Sequence, residues 1–444
     1  MNQKLETAKE QVLARVKEER VSFIRLWFTD ILGFLKSFTI NTSRLEDILE
    51  GGVGFDGSSV EGFMRIEESD MIALPAPTTF CILPWMPREN AVAQMFCDIL
   101  RPGGEPFEGD PRYVLKRNLR KAAEKGFTYY VGPELEYFYF KNSEGTEFLD
   151  RGGYFDMTLD LATNLRRETI LTLEEMGIEV ETSHHEVAFS QHEVDMKYTD
   201  ALTMADKVMT YKAVVKQTAL SQGIYATFMP KPAFGINGSG MHVHQSLFKG
   251  ERNAFFDEKD PYHLSQLARH FIAGLMKHAP EITATTCQWV NSYKRLVPGY
   301  EAPAYISWGT RNRSALVRVP EYRPGKEKST RIELRSPDPA CNPYLAFSVM
   351  LAAGLKGIEE ELEPPEPVEV DVYQLSEEER KQRGIETLPG SLGEAIDLME
   401  ESDLVRECLG EHVFYSLIRN KRAEWDAYRV QVTEYEIKRY LPIL

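Results

Sequence analysis

The sequence predicts a two-domain α+β protein, and three observations carry that reading. At 444 residues the chain exceeds what one ordinary core holds, so two domains, one of them large, are expected. The stretch RPGGEPFEGDPR at residues 101–112 contains three prolines and three glycines, the composition of a junction. Ahead of it lie mostly strand-like runs, and beyond it helical periods alternate with β segments.

Taken in order, residues 7–21 carry the pattern of an exposed amphipathic helix. VSFIRLWFTD and FLKSFTI read as two strands around a turn at Asp30 to Gly33. GGVGFDGSSVEG (51–62) is so rich in glycine that it is expected to be loop. Strands are expected at Thr79 to Trp85 and Ala91 to Ile99. After the junction, 111–125 and 163–176 suit helices, while YYVGPELEYFYF and IEVETSHHEVA suit strands. Long helices are expected over 200–222 and 262–279. Segment 363–390, rich in Pro and Glu, reads as a linker or a regulatory loop. Ser391, with Glu394 three residues on, predicts a capping box opening a further helix.

Composition excludes several classes. Hydrophobic content of 43% with 11% aromatics describes a globular protein. A formal charge of −16, from 52 basic and 68 acidic residues, argues against a nucleic-acid surface. The five cysteines are scattered without a C-x-x-C pair and read as reduced thiols of a cytoplasmic protein. MNQKLETAKEQ lacks the apolar core of a signal peptide, and no run approaches about 18 apolar residues, so no membrane partner is expected.

HHEVAFSQHE (184–193) gathers three of the chain's nine histidines and two glutamates. Glu186 and Glu193 are seven apart, which on one regular strand puts them on opposite faces. Their β-branched, alternating flanks favour strands, so the two converge only if the chain bends between them, at Phe189-Ser190. In GPELEYFYF, Glu134 and Glu136 point to one side of a strand. In NGSGMHVHQSL, His242, His244 and Ser246 share a face opposite Met241, Val243, Gln245 and Leu247. In STRIELRSPD, Arg331, Glu333 and Arg335 share a face opposite Ile332 and Leu334. Any one such strand could be an ordinary surface strand. Three of them carrying acid, His and Arg on one face, in a net-acidic protein, favour a shared cavity. Five carboxylates and one imidazole suit Mg²⁺ or Mn²⁺ rather than zinc, and five are too many for one ion. Arg295, Arg311, Arg313, Arg318, Arg331 and Arg335 surround them in the sequence, and divalent ions beside arginines describe phosphoryl transfer. No Walker sequence is present, so a nucleotide would sit in a cavity built on strands.

FDGSSVEGF, GPELEYF, HHEVAFSQHE, MPKPAFGINGSGMHVHQS, NSYKRLVPGYEAP, NRSALVRVP and RIELRSPDPACNPYLA occur in the order and spacing of the glutamine synthetases of bacterial type I. The chain resembles that family over nearly its whole length. The resemblance implies an N-terminal β-grasp domain (1–103) and a large catalytic α/β domain (104–444) with an antiparallel-strand funnel. It implies a dodecamer of two hexameric rings with sites between neighbouring subunits. It assigns one metal to Glu136, Glu186 and Glu193, a second to Glu134, His242 and Glu333, and a third entering with ATP. Glutamate would be held by Asn237, Gly238, Arg295 and Arg335, with Glu301 on a covering flap. Arg313, helped by Arg318, would face the transferred phosphoryl group, and His244, Ser246, Lys328 and Arg331 the ATP. Asp56 and Ser59 match the ammonium pocket, supplied by the adjacent subunit. Arg65 matches a glutamine-sensing position of the feedback-inhibited, non-adenylylated subgroup; Tyr373 stands where some other members are adenylylated, but the sequence around it differs from theirs and the extra segment of the adenylylated subgroup is missing. The C-terminal RYLPIL is apolar, and the family uses its tail between rings; a regulatory protein partner is also implied as possible.

Two departures from the family pattern stand out, the first bearing on the local bend and the second on the substrate. Ala188 to Gln191 differ from common forms without touching Glu186 or Glu193, and CQWVNSYKRL resembles a branch that includes ligases joining glutamate to amines. An intact Asp56-Gly57-Ser58-Ser59 favours ammonia over such an amine. A third reading, an inactive structural or regulatory relative, is opposed by the presence of all six metal positions and Arg313.

Overall fold

A computed structural model of the chain describes residues 2–62 and 70–444. The N-terminal part is a six-stranded sheet whose path runs Leu35–Asn41, Val21–Thr29, Ala91–Leu100, Asp70–Pro75, Val53–Asp56. Its central pair, Val21–Thr29 and Ala91–Leu100, is parallel, and the other pairs are antiparallel. Helices Asn2–Glu18 and Leu45–Gly51 cover it through Val12, Val16, Leu45 and Ile48.

Three expectations change here. The glycine-rich stretch contains a strand, Val53–Asp56, because Phe55 joins Phe28 and Phe38 in an aromatic cluster at 5.1 and 5.7 Å between ring centres, and packing overrides local glycine content. The strand expected at Thr79 to Trp85 shrinks to Cys81–Ile82 after a 3₁₀ turn at Pro77–Thr79. The first helix occupies Asn2–Glu18 rather than 7–21.

The catalytic-side sheet has ten strands. Its path is Trp308–Gly309, Val317–Arg318, Ile332–Leu334, Met241–Lys249, Thr128–Phe140, Gln191–Met196, Val180–His185. Thr128–Phe140 is the spine: its first half pairs with Met241–Lys249 and its second with Gln191–Met196. Leu135, Tyr137, Met241, Val243, Ile332 and Leu334 fill the buried side of this sheet. Helices Ala201–Ser221, Gln266–Thr286 and Pro343–Glu359 belong to the same core, the second running later than the 262–279 expected. The last two touch backbone to backbone: a Cβ on Gly357 would stand 2.1 Å from the carbonyl oxygen of His270, so only glycine fits.

Ser391 caps Leu392–Glu400 by accepting from Glu394 N, but the Glu394 carboxylate turns back to Gly390 N at 2.8 Å, so half of the expected box forms. Segment 363–390 is not bare linker: it holds a 3₁₀ turn, Val372–Gln374, and a capped helix, Glu377–Gln382. All five cysteines are free, and no helix among the described residues is long and apolar enough to cross a membrane.

The two parts meet at the Asp30–Gly33 turn. Asn342 Nδ2 donates to the carbonyls of Asp30 (3.0 Å) and Ile31 (3.2 Å), while its Oδ1 caps Pro343–Glu359 through Tyr344 N. Gly33 sits at φ 83° with its backbone against Asn342. Asn342→Ala removes cap and bridge together, so a loss of about 2–4 kcal/mol is expected. A clear fall in melting temperature, with the N-terminal part becoming easier to proteolyse, checks it.

Candidate active site

The acid, His and Arg faces read from sequence lie side by side on adjacent strands. Across the registers Glu134 faces His242, Glu136 faces Glu193, and His244 faces Glu333. The bend expected at Phe189-Ser190 is present. Val180–His185 and Gln191–Met196 form a hairpin whose turning residue, Ser190, has φ 57°, a left-handed conformation that non-glycine residues seldom adopt. Asp150 holds it there: its Oδ1 accepts from Ser190 N (2.9 Å) and His185 Nε2 lies 3.0 Å away, while Ser190 Oγ accepts from Asp150 N (2.8 Å). The bend is what brings Glu186 over Glu193.

These elements enclose a cavity of about 300 Å³. Glu134, Glu136, Glu186, Glu193, His242 and Glu333 line it, together with Asn237, Gly238, Arg295, Glu301, Arg313, Arg318 and Arg335. A second cavity of about 230 Å³ carries His244, Ser246, Lys328 and Arg331. Glu134 and Asp195 line both, so the two compartments adjoin. Asp56 and Ser59 line neither. Asp56 is exposed, and the Ser58 hydroxyl together with Ser58 N (2.8 Å) holds its carboxylate below the usual range. Arg65 lies outside the described residues. Arg311 turns away from the cavity: its backbone N–H is held by Glu369, and its guanidinium pairs with Glu321 at the surface.

Two groups of ligand atoms converge as the sequence led one to expect: Glu136, Glu186 and Glu193, and Glu134, His242 and Glu333, each with atoms within 4.8 Å of one another. Their electrostatics differ. Burial and the neighbouring Glu186 charge raise the Glu136 carboxyl to about 8, although Gly240 N and Gln191 Nε2 both donate to it at 2.9 Å. Glu193 is pushed well up by burial and by the charges of Asp195, Glu136, Glu134 and Glu186. Glu134 and Glu333 go the other way. Burial would raise both, but the histidines and, for Glu333, Arg335 (2.5 Å) and Arg318 (2.6 Å) keep them ionised. Glu136, Glu186 and Glu193 are carboxylates facing one another with no paired guanidinium, and Glu134, His242 and Glu333 add oxygens and one imidazole beside Arg318 and Arg335; both are donor sets that fit a hard divalent cation.

Among the lining residues that sequence reasoning missed, three join the carboxylate groups. Gln191 and Asp195 share the Glu193 face by simple alternation, and Gln191 bridges Glu136 to the carbonyl of Gly238 (3.0 Å). His184 bonds Glu186 at 2.8 Å and joins a third convergent group with Glu193 and Asp195. In a fourth group, Asp150, His185 and His192, Asp150 holds the bend and Arg166 Nη1 lies 2.8 Å from His192 Nδ1.

Two family models match the chain: "Glutamine synthetase, beta-Grasp domain" over residues 20–102 and "Glutamine synthetase, catalytic domain" over 108–440. It is 54% identical to the glutamine synthetase of Methanosarcina mazei over 99% of this chain and 98% of that one. Identity is 54% to that of Mycolicibacterium smegmatis (99% and 100% covered) and 51% to that of Thermotoga maritima (96% and 98%). Among solved structures, the GmaS/ADP complex matches with TM-score 0.89 at 32% identity over 97% of this chain and 99% of that one. The Plasmodium falciparum glutamine synthetase matches with TM-score 0.87 at 26% identity over 98% of each chain.

The raised carboxyls set a pH dependence. A Glu136 proton bound up to about pH 8 in the folded state, against 4.5 ordinarily, makes the metal-free protein lose stability as pH rises through that window. A divalent ion displaces the proton, so the gain in melting temperature given by saturating Mn²⁺ is expected to grow between about pH 5 and 8. A gain independent of pH contradicts the assignment.

Proposed function

Since the chain belongs to the glutamine synthetase family and is a glutamate–ammonia ligase that uses ATP and divalent metal, we propose that its reaction runs in the two adjoining cavities. The observation that carries this is the convergence of two carboxylate-rich ligand groups on adjacent strands, with Arg295, Arg313, Arg318 and Arg335 on the walls. The domain boundary falls at 103/104, supported by the two family-model spans.

Glu136, Glu186 and Glu193 would hold one ion and Glu134, His242 and Glu333 another, Mg²⁺ or Mn²⁺, with a third accompanying ATP. Bound there, the ions neutralise phosphate charge. Arg295 and Arg335 pair with the substrate carboxylates, and Asn237 and the Gly238 backbone position the rest of glutamate. Gly238 must be glycine, since a Cβ would meet the Pro230 carbonyl at 2.3 Å. His244, Ser246, Lys328 and Arg331 line the nucleotide end, and the solved GmaS complex contains ADP. A free carboxylate is a poor acyl donor, so the γ-carboxylate attacks the γ-phosphorus of ATP, giving γ-glutamyl phosphate and ADP. Arg313, helped by Arg318, compensates charge on the moving phosphoryl group. Asp56, with Ser59, takes a proton from ammonium. Ammonia then attacks the acyl carbon and phosphate leaves, while Glu301 closes the mouth against water.

Asp56 and Ser59 act on a neighbouring copy in this reading, which is supported by neither residue lining a cavity of its own chain. A dodecamer of two hexameric rings, with sites between subunits, is the assembly we infer. The exposed apolar side chains of Val430, Val432, Leu441, Ile443 and Leu444 give its C-terminal arm a surface to bury. Regulation through Arg65 or a protein partner, and a cytoplasmic location, belong to the same proposal. An amine ligase is not favoured, given relatives named glutamine synthetase at 51–54% identity.

Glutamate-dependent phosphate release from ATP is expected with ammonium and not with ethylamine or putrescine; the reverse pattern overturns ammonia as the acceptor. Glu333→Ala is expected to lower turnover on the order of 10³-fold with the oligomer intact by light scattering, and a near-wild-type rate sinks the metal assignment. Asp56→Ala and Arg313→Ala proteins, each inactive alone, should regain activity when mixed and reassembled; verified hybrids without rescue refute the shared site.

A further inference from the structure

The Pro- and Glu-rich segment 363–390 is laced to the chain that carries Glu301 and Arg313. Val368 N donates to the carbonyl of Trp308 (2.8 Å), and Glu369 accepts from the backbone of Thr310 (2.9 Å) and Arg311 (3.0 Å). Val372 N donates to Ser314 Oγ (2.9 Å). On the other side, Leu388 N donates to Ala304 O (2.9 Å) and Ile306 N to Glu386 O (2.8 Å). Between these fastenings lies Tyr373, whose hydroxyl donates to the carbonyl of Ala302 and whose ring packs against Tyr305 at 5.8 Å. Burial raises its phenol to about 12, so the donated proton is present throughout the neutral range.

Ala302 directly follows Glu301, which has φ 52°, a conformation a glutamate keeps only when its neighbours hold it. The Glu301 side chain reaches Asn237 Nδ2 at 3.0 Å across the cavity. Position 303 is proline, without an N–H to anchor the backbone on that side. The Tyr373 hydroxyl therefore grips the carbonyl of the residue that directly follows the strained one.

We propose that Tyr373 is a positioning residue for the ligase reaction, its hydroxyl fixing the Ala302 carbonyl so that Glu301 stays over the cavity mouth. This rests on the reading of Glu301 as the covering residue. With the grip lost, water reaches γ-glutamyl phosphate and attacks its acyl carbon. The carbon–oxygen bond to phosphate breaks, phosphate leaves with the electron pair, and glutamate is regenerated with no glutamine formed. One ATP is then consumed without product, so the signature is uncoupling rather than a general loss of rate.

Tyr373→Phe keeps the ring and its packing and removes the hydroxyl alone. Its glutamate-dependent phosphate release without ammonium is expected to rise about 2- to 10-fold over wild type, the span that one lost hydrogen bond permits, with phosphate released per glutamine rising in parallel. Glu301→Ala, measured alongside, is expected to leak more. A leak in Glu301→Ala with wild-type coupling in Tyr373→Phe overturns the role of Tyr373 alone. Wild-type coupling in both overturns the covering role of Glu301 as well. A Tyr373→Phe protein that is slower or less heat-stable but fully coupled also refutes the proposal.

Discussion

Mutual repulsion among Glu136, Glu186 and Glu193 is the constraint around which the rest of the molecule is built. Two unit charges at the 4.8 Å that bounds their ligand atoms repel by about 3.5 kcal/mol at an effective dielectric of 20. A mobile loop would relax away from such contacts. Glu136 and Glu193 cannot, because they face each other across paired strands, and Glu186 is fixed by the Asp150-held bend. Protons or cations are then the only relief, and burial of the sheet's other face against helices that meet at Gly274 and Gly357 keeps that geometry from yielding.

The arginines are placed by the same logic. Arg295 is buried and donates to the carbonyls of Ser336 (2.7 Å), Pro337 (3.2 Å) and Arg335 (3.0 Å), so its guanidinium is aimed by backbone and not by a carboxylate that it would neutralise. Its charge is thereby not tied up in an ion pair. Arg335 and Arg318, by contrast, are spent largely on Glu333.

How far this could be read from sequence depended on the range of the forces involved. Alternation on a strand is local, so the shared faces of Glu134 with Glu136, of His242 with His244, and of Arg331 with Glu333 and Arg335 were legible, as was the bend at Ser190. Gln191 and Asp195 obey the same alternation, but only the pairing of Glu193 with Glu136 across the sheet turns their face into the cavity. Val53–Asp56 was illegible: glycine content argued for loop, and only the distant rings of Phe28 and Phe38 make the strand. Arg311 was misjudged for a similar reason, since proximity in sequence to Arg313 says nothing of Glu321, which claims its side chain. The role of 363–390 depends on hydrogen bonds across roughly sixty residues of chain, which no periodicity announces.

The two ligand groups are chemically unequal. Glu134, His242 and Glu333 come with their charge already balanced by guanidiniums and imidazoles, so an added cation competes with Arg335 and Arg318 for Glu333. Such a site accepts a cation most readily when an anion arrives with it and draws the arginines off. Glu136, Glu186 and Glu193 have no guanidinium paired to them, and burial with the charges of their acidic neighbours outweighs the arginines nearby, so a cation there would relieve repulsion directly. A cation held by Glu136, Glu186 and Glu193 would therefore answer a repulsion already present in the fold, whereas one held by Glu134, His242 and Glu333 would be coupled to a phosphate-bearing ligand. One half of the cavity is a standing feature of the fold, and the other half is completed by what binds.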